Sequence, residues 1–112
     1  STGDNAGFVY VANSGAGTVS VINPAGRVVD TIAVGPNPQG VAVSTTGATA
    51  GYVYVANGDA GTVSVINPAG VVVNTIDLSA FAYGVAVSPT GDNAGNVYIT
   101  NFFNGTVSVI SA

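Results

Sequence analysis

Apolar and small polar residues alternate along this chain in runs of five to eight, and Gly, Pro, Asn or Asp bounds every run. Val, Ile, Thr and Tyr dominate the runs, as in β-strands with buried faces, and the bounding residues are turn formers. VYVAN (9–13) is followed by TVSVIN (18–23), VVDTIAV (28–34) and GVAVS (40–44). The series returns as VYVAN (53–57), TVSVIN (62–67), VVVNTIDL (71–78) and GVAVS (84–88), then begins again with VYITN (97–101) and TVSVIS (106–111). Between the runs lie SGAG (14–17) and GDAG (58–61), NPAG (23–26 and 67–70), TTGATAG (45–51) and PTGDNAG (89–95). Connections this short predict antiparallel neighbours, because a parallel crossover needs a dozen residues or more.

The alternation also predicts what covers each sheet. Val19 and Val21 share one face while Thr18, Ser20 and Ile22 share the other, and Val53 and Val55 oppose Tyr54 and Ala56. Neither face of these strands carries a charge, so both are expected to be covered, as in small sheets packed face to face around an axis. GVAVS has the smallest side chains and suits the crowded inner position, strand A. VYVAN then becomes strand B, TVSVIN strand C and the VVxTI segment the outer strand D.

A 44-residue period underlies the pattern: residues 1–44 and 45–88 align without a gap, and 89–112 is the first part of a third unit. A fixed period of this length indicates stacked units, each burying its apolar surface on the next. The expected fold is all-β: β-propeller blades of four-stranded antiparallel sheets in a single repeat domain over 1–112. The strands group as BCD, ABCD and ABC, about two and a half blades, whereas a ring takes roughly four to eight. The outer blade faces and strand edges are therefore expected to be completed by other copies, as a ring or a filament, or by a longer parent chain. Exchange of an edge strand between copies is one way of completing them.

Four linked motifs at constant spacing carry a family resemblance: VYVAN, GTVSVINPAG, the VVxTIxVG segment and PxGVAVSPTG. Together they resemble the YVTN β-propeller repeat of surface-layer-type proteins, over essentially the whole chain. VYVAN and VYITN stand in for YVTN, and the second unit has SAFAY (79–83) where the first has GPNPQ (35–39). The resemblance implies a β-propeller in an extracellular or cell-surface setting.

Composition narrows the function. With 47% hydrophobic residues, 16 glycines and only one basic residue against five acidic ones, the chain suits a packed β protein. Arg27 is the single cation, so nucleic-acid binding and docking to anionic membranes lack their electrostatic term. No apolar run reaches the length of a membrane-spanning helix, and no basic-then-apolar leader opens the sequence. Without His, Lys or Cys, the abundant serines and threonines lack the usual activating base, and five scattered aspartates make no acid–base pair. No catalytic residue, cofactor or metal site is expected. Asp4–Asn5 and Asp92–Asn93 offer too few oxygens and too little charge for Ca²⁺ and read as Asx turns. Asn13, Asn57 and Asn101 read as turn caps at the end of strand B, and Asn104–Gly105–Thr106 is a glycosylation acceptor only in a glycosylating pathway.

The repeats can also be compared with each other. Units one and two differ at 15 of 44 positions, and nine of these lie in the B–C turn and the D–A segment, which share a rim in propeller geometry. Phe81, Tyr83, Phe102 and Phe103 fall there beside Asp59 and Asn104. This aromatic rim is a candidate surface for a glycan or protein ligand, and equally for packing between blades or subunits. The sequence thus points to a non-enzymatic extracellular or cell-surface repeat protein with a structural, self-assembling or adhesive role. The alternatives are a lectin-like propeller and a fragment of a larger propeller enzyme.

Overall fold

The computed structural model describes residues 7–44, 51–78, 81–88, 95–101 and 105–110. These residues form ten strands: β1 (Val9–Asn13), β2 (Thr18–Ile22), β3 (Val28–Ala33), β4 (Pro38–Val43), β5 (Val53–Asn57), β6 (Thr62–Ile66), β7 (Val72–Asp77), β8 (Ala82–Val87), β9 (Val97–Asn101) and β10 (Thr106–Ile110). They pair antiparallel in three sheets, β1-β2-β3, β4-β5-β6-β7 and β8-β9-β10. These are the BCD, ABCD and ABC groups that the repeat dictates, and the architecture is that of partial propeller blades.

Strands B and C match their expected bounds closely. Strand A starts earlier, at Pro38 and Ala82, with a register shift before Gly40 and before Val85. Pro38 reads as a turn residue in sequence, yet it fits because strand A is an edge strand, where a missing N–H is tolerated. The C–D pairs carry the same irregularity in both units, between Val21 and Ile22 and between Val65 and Ile66. Such bulges sharpen the local twist.

The alternation places one core on each side of the middle sheet. Val19, Val21 and Ile32 of the first blade pack with Val53, Val55 and Ile66 of the second. The opposite face of the second blade, with Tyr54, Ala56, Val63 and Val65, packs with Ala82, Val97 and Ile99 of the third. Burying one valine completely contributes about 1.5–3 kcal/mol, so these two seams are the main apolar source of stability. Strand A runs next to the neighbouring blade at the narrow end: a Cβ on Gly40 would lie 2.7 Å from the backbone oxygen of Tyr83.

A polar brace recurs at the end of strand B. Asn57 Nδ2 donates to Thr62 Oγ1 at 3.2 Å and to Ser64 Oγ at 2.9 Å, and Asn13 and Asn101 make the same pair of bonds to Thr18 and Ser20 and to Thr106 and Ser108. Asn57 and Ser64 are buried, and Asn57 is covered by Gly35, where a Cβ would come within 2.9 Å of its Cγ. These asparagines tie two strands together across the sheet rather than only capping a turn. Asn57→Ala leaves the Ser64 hydroxyl without this donor in a place water does not reach. It should cost about 1–3 kcal/mol in urea denaturation, and Asn13→Ala, on the more open first blade, should cost less.

Candidate functional site

The rim that carries the B–C turns is built alike in each unit. Gly17, Gly61 and Gly105 take φ values of 68°, 66° and 66° and donate their N–H to the carbonyl of Asn13, Asn57 and Asn101, closing the turn. A side chain would strain that left-handed backbone, which accounts for glycine at all three places. The segment leaving strand D runs alongside these turns: Val34 N–H donates to Gly17 O, and Leu78 N–H to Gly61 O. The B–C turn and the D–A segment therefore do share a rim.

Asn37 is the centre of this rim at the junction of the first two blades. It is the one non-glycine residue with positive φ among the described residues, at 53°. Its carbonyl accepts the Gly58 N–H at 3.0 Å, its Nδ2 donates to Asp59 Oδ1 at 3.1 Å, and its Oδ1 accepts the Ser14 hydroxyl. Gln39 Nε2 reaches Ser14 Oγ at 3.4 Å. One side chain thus joins the turn of the first blade to the turn of the second. Around it lies an open cup of about 550 Å³, lined by Ser14–Gly17, Pro36, Asn37 and Asp59.

Of the residues singled out in the sequence, Asp59 lines this cup, and Phe81 packs outside its lining, against Gly58. A Cβ on Gly58 would come within 3.1 Å of both Phe81 Cζ and Gln39 Cγ, so the half-buried Phe81 ring lies against the turn next to Asp59. Tyr83, on β8, is exposed. Phe102, Phe103 and Asn104 lie outside the described residues, as do Asp4, Asn5, Asp92 and Asn93. Sequence reasoning passed over Ser14, Asn37 and Gln39 as a group. The available signal was that all three sit among the 15 positions where the two units differ.

A second, smaller cleft of about 250 Å³ opens at the same junction, between Phe8, Tyr10 and Ile32 of the first blade and the Pro68–Gly70 turn of the second. Asp30 is its one carboxylate, and it accepts the backbone N–H of Thr31 at 2.8 Å. The cleft is otherwise a continuation of the apolar seam. Among the described residues, no group of three or more His, Cys, Asp or Glu is placed to hold a metal ion.

The end faces differ sharply from the middle one. Val63 is 0% exposed, but its counterpart Val107 in the third blade is 57% exposed; Val53 is 0% exposed, but Val9 in the first is 51%. Val109 and Val11 follow the same rule against Val65 and Val55.

No family model matches this chain, and no curated protein does. Among solved structures it is similar to hydrazine synthase of Kuenenia stuttgartiensis, with a TM-score of 0.83 and 19% identity over 96% of this chain and 30% of that one. It is also similar to a functionally unknown protein from Desulfotomaculum acetoxidans, with a TM-score of 0.65 and 18% identity over 94% of this chain and 38% of that one. The chain spans less than two fifths of the length of either. Likeness at these identities concerns the fold alone, over the matched part of each neighbour.

Proposed function

We propose that this chain is a non-enzymatic β-propeller module of an extracellular or cell-surface protein, with a structural or adhesive role exercised by head-to-tail self-association. The observation that carries the reading is the exposure of Val9, Val11, Val107 and Val109 on the two end faces, where identical valines in the middle blade are fully or almost fully buried. The contact between the second and third blades is a template for the missing one. The Val107 face of one copy offers what the second blade offers the third, and the Val9 face of another copy offers what the third blade offers the second. A contact of this kind is heterologous, so it closes into a ring or runs on as a filament. In a longer parent chain, the units before and after would cover the same faces and the contact would form within one polypeptide.

The cell-surface placement is supported by the resemblance of VYVAN, GTVSVINPAG and GVAVS to the YVTN repeat. The non-enzymatic part rests on the missing His, Lys and Cys, which deprives the hydroxyl groups of an activating base. Electron microscopy of the purified chain, with light scattering, tests the reading. Rings or filaments are expected, and Val11→Asp should weaken assembly roughly a hundredfold, because an unpaired carboxylate would be buried in the contact. Discrete single copies from the unsubstituted chain would reject it.

A further inference from the structure

We propose that the rim cup at the first blade junction binds an uncharged saccharide, with Ser14, Asn37 and Asp59, which line it, taking its hydroxyl groups. The cup is on a rim and not on an end face, so the proposal stands independently of self-association.

The repeat itself shows that packing does not demand this cluster. The first and second junctions bury matching apolar residues, yet one unit further along the sequence Ser14, Asn37, Gln39 and Asp59 are replaced by Gly58, Phe81, Tyr83 and Phe103. A staple needed to join two blades would recur at both junctions. Asn37 also holds a left-handed backbone that a glycine would hold more easily. Such strain is retained where the side chain has a use, and here hydrogen bonds from both blades fix its direction. The result is a preset array of one carboxylate, one amide and a hydroxyl around an open concavity of about 550 Å³.

Charge selects among sugars. The B–C and D–A rim carries Asp59 and Asp77, while the one cation, Arg27, sits in the C–D turn at the opposite end of the strands. An anionic sugar would meet a carboxylate with no compensating base. A neutral sugar presents vicinal hydroxyls, which can both donate to Asp59 and accept from the amide of Asn37.

The test is NMR titration of the full chain with methyl glucoside, methyl galactoside and N-acetylglucosamine, with glucuronic acid as the anionic comparison. At least one neutral sugar should produce saturable shifts of the amides at 14–17, 37–39 and 58–59, and glucuronic acid should bind at least about tenfold more weakly. Asn37→Gly suits the local φ and should keep the fold, and Ser14→Gly installs the residue that the second unit carries at that place. Each should lose binding by about tenfold or more while keeping its thermal midpoint within a few degrees. The proposal is overturned if no neutral sugar shifts those amides, if glucuronic acid binds as well as the neutral sugars, or if folded Asn37→Gly binds as the parent does.

Discussion

Val63→Asp is expected to unfold the chain, whereas Val107→Asp, the same change at the same place in the third unit, is expected to leave it folded. Val63 is completely buried between the second and third blades, packed with Tyr54, Val97 and Ile99. A carboxylate there would have no cation within the seam, and an unpaired buried charge costs about 3–5 kcal/mol beyond the lost valine burial. That is comparable with the whole stability of a small domain, about 5–15 kcal/mol. Val107 is 57% exposed, so its replacement leaves the new charge in water. Far-ultraviolet circular dichroism with urea titration reads the difference. A similar loss in both variants would mean that the third blade's outer face is already covered within one chain.

The second large effect is expected at Gly40. A Cβ added there would meet Tyr83 O at 2.7 Å and the Val85 N at 3.4 Å, and backbone atoms in a paired strand cannot step aside as a side-chain tip can. Gly40→Ala must therefore push β4 away from β8 at the narrow end of the seam. A cost of about 2–3 kcal/mol is expected, at the upper end for overpacking, or a fall of about 10 °C in thermal midpoint for a chain of this size. Gly15→Ala is the control, since nothing lies within 4 Å of a Cβ at Gly15. A thermal midpoint for Gly40→Ala equal to that control would show that the blades are not held this close at the axis.

Most of the fold was legible because strand periodicity and unit periodicity agree. VYVAN and TVSVI are strands in all or almost all their residues, and the alternation of Val53 and Val55 against Tyr54 and Ala56 foretold which core each would enter. Strand A extends beyond GVAVS because Pro38, which looks like punctuation in the sequence, is tolerated on an edge strand. The brace from Asn57 looks like a turn cap in the sequence because its partners, five and seven residues on, come within reach only through the hairpin register. The rim site was legible in position but not in content. Phe81 and Asp59 drew attention to the right rim, while Asn37 bonds to Ser14 and Asp59 at separations of 23 and 22 residues, a meeting created when one blade closes on the next. No local pattern encodes it.

Sedimentation velocity of the unsubstituted chain over a wide dilution series tests the central claim that the two end faces are complementary interfaces. Species at multiples of 10.8 kDa are expected, shrinking towards the single chain on dilution and lost in folded Val107→Asp. A folded chain that sediments at 10.8 kDa at every concentration would contradict it.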